Sequence, residues 1–131
     1  MGQPLHDAAE EDRIEDIEAL LRDNPDLDVN WEDGNGWAAL HCASIKGHAD
    51  VVQLLLGHSF IEVNARDNYG QTSFSFGCEF ERVSVVQLLQ KDPRVNVTLA
   101  DNSERPPLWW ASAKGHHKVI DCEQQGPRRP Q

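Results

Sequence analysis

Gly36-Trp37-Ala38-Ala39-Leu40-His41-Cys42-Ala43-Ser44-Ile45-Lys46-Gly47-His48-Ala49-Asp50-Val51-Val52-Gln53-Leu54-Leu55-Leu56 is the stretch from which the rest of the chain can be read. Ala39 to Ser44 predicts a short helix, stopped by Gly47, whose backbone freedom suits a tight turn. Ala49 to Leu56 predicts a second helix, with Val51, Val52, Leu54, Leu55 and Leu56 forming an apolar face at three-to-four spacing. Before it, Gly34-Asn35-Gly36 reads as a hairpin turn. After it, Ile61 to Tyr69 reads as an extended turn punctuated by Asn64, Asp67 and Asn68, residue types that tolerate turn geometry.

The stretch recurs. A shift of 34 residues carries Val29-Asn30 onto Val63-Asn64, Gly36 onto Gly70, and Val51-Val52-Gln53-Leu54-Leu55 onto Val85-Val86-Gln87-Leu88-Leu89. A further shift carries Phe74 onto Leu108, Asp67-Asn68 onto Asp101-Asn102, and Val85-Val86 onto Val119-Ile120. Leu5-His6 and Ala8 match Leu40-His41 and Ala43 at a shift of 35, with one residue inserted near Asn24-Pro25. The units are therefore about 3–33, 34–67, 68–101 and 102–123. Helices this short are marginal in water on their own. Stacking the units joins their apolar faces into one core, which is why the pattern must repeat. The expected fold is all-α, with residues 1–123 as one domain. Gly126-Pro127 ends the last helix. Residues 124–131 match nothing in the repeat and are expected to be disordered.

This pattern resembles that of ankyrin repeats, G-x-T-P-L-H-x-A-A-x-x-G-H-x-x-V-V-x-L-L-L followed by V-N. Pro107-Leu108, Ala111, Gly115-His116 and Val119 keep it in the fourth unit, and Pro4-Leu5-His6 with Ala8-Ala9 in the first. The resemblance covers about residues 3 to 122 and implies an ankyrin-repeat solenoid with hairpin loops along one edge. The third unit departs from it. Gln71-Thr72-Ser73-Phe74-Ser75-Phe76-Gly77-Cys78 lacks the Pro and His, puts Gly77 inside a helix, and Glu81 replaces the turn glycine. A helical glycine costs about 1 kcal/mol relative to alanine, so this unit is expected to be the weak one, or the place where sequence serves binding. In the fourth, Asp121, Cys122 and Glu123 stand where the second has Gln53, Leu54 and Leu55.

Of the 131 residues, 39% are apolar and 26% charged, ordinary values for a soluble repeat protein. The apolar runs are too short to span a bilayer, and acids occupy the N-terminus where a secretory signal needs bases. The expected location is cytoplasmic or nuclear. Net charge is −10, and residues 1–33 carry all of it, with 12 acids against Arg13 and Arg22. That field repels nucleic-acid phosphates and favours a basic partner, or serves as a solvated cap. Cys42, Cys78 and Cys122 include no C-x-x-C pair and read as reduced core residues.

Catalytic patterns are missing. There is no G-x-S-x-G elbow, no phosphate-binding glycine loop, and no H-x-x-x-H or H-E-x-x-H spacing. His116-His117 are adjacent and diverge on a helix. No metal, cofactor or enzymatic role is expected. The resemblance places His6 and His41 where the family's histidine hydrogen-bonds turn backbone, and His48 and His116 at its inter-helix position. It also likens the Leu56 to Asn64 spacing to asparagine hydroxylation sites of other ankyrin proteins, though a plain hydrogen-bonding role for Asn64 is favoured.

What remains is surface. In ankyrin stacks the partner meets the hairpin tips and the exposed side of the first helices, a concave face. Carried over by position, that face holds Glu32, Asn35, Trp37, Ile45 and Lys46 from the second unit. The third supplies Arg66, Asn68, Tyr69, Gln71, Glu79 and Phe80, and the fourth Asn102, Ser103, Arg105, Ala113 and Lys114. Aromatic residues flanked by Arg and Lys have interface composition. Trp37 has a competing role packed on the neighbouring hairpin, Phe80 one folded onto its own helix, and at least one of Trp109-Trp110 is expected in the core. The expected function is a non-enzymatic interaction module or scaffold that binds a protein partner. The alternative is a regulatory subunit that recognises a basic peptide or tail through the acidic first unit. Nucleotide binding is disfavoured because no basic cluster lines the face.

Overall fold

A computed structural model describes residues 2–125, and the side chains of 2–121. Eight helices follow in pairs: α1 Gln3–Glu10 and α2 Ile14–Asp23; α3 Ala39–Lys46 and α4 Ala49–Leu56; α5 Ser73–Glu79 and α6 Val83–Lys91; α7 Pro107–Lys114 and α8 His117–Gln125. The described residues contain no strand, as the all-α repeat reading requires. The expected disordered tail lies, from residue 126, outside the described residues.

The first helices α1, α3, α5 and α7 pack side by side in one row, and α2, α4, α6 and α8 in a second, less closely packed row. Unequal spacing of the two rows bends such a stack. Leu5, Leu40 and Phe74 occupy one register and are wholly buried between first helices; Ile17, Val51, Val52, Leu55, Val85, Val86 and Leu89 fill the second row. Ala9, Ala43 and Ala111 are small enough to let helices approach. Gly77 does the same job further: a Cβ there would lie 3.0 Å from Val86 Cγ2, so the glycine draws α5 against α6.

Each hairpin is built by an aspartate. Asp33 Oδ1 accepts the amides of Asn35 and Trp37, Asp67 Oδ1 those of Tyr69 and Gln71, and Asp101 Oδ1 those of Ser103 and Arg105. These side chains imitate the turn backbone, which is why Asp suits the position. The turn also needs one left-handed residue. Gly36 and Gly70 supply it at φ +78° and +79°, but Glu104 takes +64° in the third hairpin. Between helices the same substitution occurs, with Gly47 and Gly115 at two turns and Asp12 and Glu81 at the other two.

Left-handed backbone strains a residue with a Cβ by about 1–2 kcal/mol, while glycine costs roughly 0.5–1 kcal/mol more chain entropy on folding. Glu81→Gly and Glu104→Gly are each expected to raise the unfolding free energy by about 0.5–1 kcal/mol in urea titrations. A loss of stability would mean that the carboxylates, such as Glu81 at 3.2 Å from His116 Nδ1, contribute more than the strain.

Candidate partner-binding surface

The hairpin tips are stitched together before any partner arrives. Asn68 donates from its amide to Asn35 O and from Nδ2 to Gly34 O; Asn102 repeats this with Tyr69 O and Asn68 O. Arg66 donates to Ala100 O at 2.9 Å. Deeper in the loops, Asn30 donates to Phe60 O and accepts from the Glu62 amide, and Asn64 does likewise with Arg94 O and Asn96. Both functions of the Asn64 amide are thereby spent on holding the next unit.

Several expected contact residues are drawn into this framework. Trp37 is half-buried, donates from Nε1 to Asp67 Oδ2 at 3.0 Å and meets Phe76 edge-on, so it joins two units as the packed alternative foresaw. Gln71, at 9% exposure, presents little surface, because its backbone is paired with Asp67 across the hairpin. Ile45 is half-buried and its carbonyl accepts from Arg82. Glu32, Asn35 and Lys46 are exposed.

One group stands out. Phe80 is 39% exposed, lies parallel to Phe76 and has Lys114 Nζ 5.1 Å from its ring centre. Lys114 also lies 5.9 Å from the Trp110 ring and pairs with Glu79 at 3.3 Å. Arg105 sits 4.5 Å from Trp110 and 5.1 Å from Trp109, and is held by Asp101 Oδ2 at 3.0 Å. Trp37, Phe76, Phe80, Lys114, Trp110, Arg105 and Trp109 thus form a continuous aromatic–cationic row across three units. Trp110, half-buried between two cations, is the more enclosed of the tryptophans; Trp109 is 44% exposed. The Trp110 indole N–H is buried without an acceptor. Tyr69 protrudes at 74% exposure, and no ring contact or side-chain hydrogen bond holds it among the described residues. Position matching found Trp37, Phe80, Arg105 and Lys114 separately and missed Phe76, Trp109 and Trp110 as members of the row, whose links between units depend on distances across the stack.

The histidines divide. His41 Nδ1 accepts the Ala38 amide while Nε2 donates to Ala65 O, which fixes a neutral ring. Burial holds its pKa below the usual imidazole value, more than the Ala65 hydrogen bond and the Asp67 charge raise it. His48 and His116 donate from Nε2 to Glu10 O and Glu79 O, capping the first helix of the preceding unit. Arg82 replaces this histidine in the third unit, donating to Ile45 O at 2.9 Å, a role the sequence pattern concealed. His6 departs from the expected turn contact. It faces a carboxylate instead, with Nε2 at 2.9 Å from Asp33 Oδ2 and Nδ1 at 3.3 Å from Asp7 Oδ1.

For Asp33, burial raises the carboxyl pKa, but the Trp37 and Asn35 amides with His6 outweigh it and hold the group below its ordinary value. Asp101 follows the same pattern, with Arg105 in place of the histidine. Cys42 and Cys78 are buried, as expected of core residues. Burial pushes the Cys42 thiol up to about 12, and the Glu10 and Asp33 charges push the same way. One convergent set of possible metal ligands occurs among the described residues: His6, Glu10 and Cys42 offer atoms all within 4.8 Å of one another. Linear spacing could not show this, because Cys42 comes from the neighbouring unit. No helix among the described residues is long and apolar enough to cross a membrane.

Residues 5–101 match the family model described as ankyrin repeats in three copies. The chain is 36% identical over 120 residues to E3 ubiquitin-protein ligase XBAT33 of Arabidopsis thaliana, which covers 91% of this chain and 23% of that protein. It is 34% identical over 89 residues to Serine/threonine-protein kinase 12 of Arabidopsis thaliana, 68% of this chain and 19% of that one. To Rabankyrin-5 of Homo sapiens it is 30% identical over 102 residues, 78% of this chain and 9% of the relative. The chain therefore spans less than a quarter of each of these proteins.

Proposed function

Because the chain belongs to the ankyrin-repeat family, we propose that it is a non-enzymatic adaptor that grips a protein partner with its hairpin tips and aromatic–cationic row. Ankyrin repeats are generally protein–protein interaction modules, and the repeat domain itself is non-catalytic. Relatives named as a ligase and a kinase are several times longer, and the activities in their names are not carried over to this chain.

The observation that carries this reading is the outward display of Tyr69, Phe80 and Trp109, the last two resting against Lys114 and Arg105, which Glu79 and Asp101 already fix. Preordered cations and two-torsion aromatics lose little entropy on binding, the condition under which a few residues dominate affinity. The buried Trp110 N–H belongs to the same row. Tyr69→Ala with Trp109→Ala is expected to weaken partner binding at least thirtyfold, about 2 kcal/mol, with an unchanged helical spectrum. Unaltered affinity would refute this use of the face.

A second reading has its own observation. The first unit carries a groove lined by Pro4, Asp7, Ala8, Arg13, Asp16, Ala19, Leu20, Asp23 and Asn24, in which Asp7, Asp16 and Asp23 outnumber Arg13. A basic peptide or tail would suit it. Exposed charges are screened beyond about 10 Å at 0.1 M salt, so capture through this groove weakens steeply with ionic strength, whereas capture through the aromatic row does so little. Salt-insensitive binding would remove the second reading.

A further inference from the structure

His6 and Glu10 are one helical turn apart on α1 and therefore share a face. Cys42 reaches the same point from α3, with its sulfur 3.2 Å from His6 Nε2. Asp33 Oδ2 lies 2.9 Å from that nitrogen, and is free to bind because Oδ1 alone secures the hairpin amides. The other ring nitrogen faces Asp7 Oδ1 at 3.3 Å. We propose that His6, Glu10 and Cys42 form a zinc site that clamps the first unit onto the second, with Asp33 Oδ2 moving in beside His6 as the fourth ligand.

The donor set fits the ion. Zinc takes imidazole nitrogen and carboxylate oxygen at about 2.0–2.2 Å and thiolate at about 2.3 Å, so tetrahedral neighbours lie roughly 3.3–3.6 Å apart. The distances of 2.9 and 3.2 Å around His6 Nε2 need a few tenths of an ångström of opening, while the Glu10 and Asp33 carboxylates close in on Cys42 by side-chain rotation. On binding, the Nε2 proton is replaced by the metal, and the ring proton sits on Nδ1. From there it donates to Asp7, the carboxylate that orients many zinc-bound histidines. Cys42 releases its proton to solvent as thiolate. The charge also fits: Glu10, Asp33 and Asp7 all bear on the Cys42 sulfur, and Lys46 is the cation opposing them. Exposed Glu10 gives the ion a route from solvent, while buried His6 and Cys42 close the site behind it. The clamp would join the most highly charged unit to its neighbour, which limits the mutual repulsion of the acids.

The test uses the full chain, reduced and stripped with a chelator, titrated with Zn2+ by calorimetry and with Co2+ by absorption spectroscopy. One ion per chain is expected, with tetrahedral Co2+ bands and a thiolate-to-metal charge-transfer band, and a melting temperature that rises with Zn2+. Cys42→Ser abolishes the charge-transfer band. Glu10→Gln, an exposed position that leaves the fold intact, weakens binding at least tenfold. No saturable binding would overturn the proposal. So would saturable binding without the thiolate band and insensitive to Glu10→Gln, because the ion would then sit on surface pairs such as His116 and Glu81.

Discussion

Phe74→Ala is expected to lower the unfolding free energy by about 3–5 kcal/mol, read as a shift in urea midpoint. Phe74 is the largest wholly buried side chain and lies in α5, which packs against both α3 and α7. Truncation leaves a cavity that the neighbours close only in part, and the cost of that cavity adds to the lost transfer free energy. Repeat stacks are stabilised by nearest-neighbour interfaces, so a defect in the third unit weakens two of them at once. Against the 5–15 kcal/mol of an ordinary domain, this brings the chain close to unfolding. The same truncation at Leu108, in the same register but exposed, is expected to cost under 1 kcal/mol. Equal losses at the two sites would contradict the stacked core.

His41→Ala carries the second large effect, about 3 kcal/mol at neutral pH. The ring is wholly buried and joins the Ala38 amide to Ala65 O. Its loss leaves a donor and an acceptor without a partner, at about 1–3 kcal/mol each before water enters the gap. The same ring makes the wild type acid-sensitive. Its folded pKa is lowered by burial, so below about 6.5 the unfolded chain takes up a proton that the folded chain refuses. The stabilisation is complete above about pH 6.5 and is lost as pH falls from there towards the lowered folded value. Protonated Nδ1 can no longer accept from Ala38. Chemical denaturation at steps between pH 7 and 5 should show a steeper decline for wild type than for His41→Ala. Parallel slopes would show that this histidine does not set the acid response. Asp33 and Asp101, whose pKa values are depressed, add a further loss only below about pH 4.

Helix pairs were legible in the sequence because apolar period, turn glycines and a 34-residue recurrence all agree in the second unit, which sets the register for the others. The departures were legible as departures, though their physical content was not. Glu81 was marked as a missing glycine, and the backbone there still turns left-handed at φ +55°. Gly77 read as a helix-weakening residue, yet its missing Cβ is what admits Val86. Side-chain fate was the least legible. Trp37 and Tyr69 are both hairpin aromatics, but they flank the turn glycine on opposite sides, and only Trp37 is tied down by Asp67. His6 matches His41 letter for letter and bonds differently, because Asp33 is placed to receive its Nε2. Contacts spanning 30 or more residues leave no local trace, and the His6–Cys42 approach and the two links that carry the row between units, Trp37 to Phe76 and Phe80 to Lys114, are of that kind.

Photo-crosslinking from single positions tests the central claim most directly. A benzophenone amino acid replaces Tyr69 or Trp109 on the proposed face, or Gln53 on the exposed side of α4. Irradiation in the presence of captured partner should give covalent adducts from positions 69 and 109 and none above background from 53. Adducts from position 53 equal to or stronger than those from 69 and 109 would place the partner elsewhere and contradict the account.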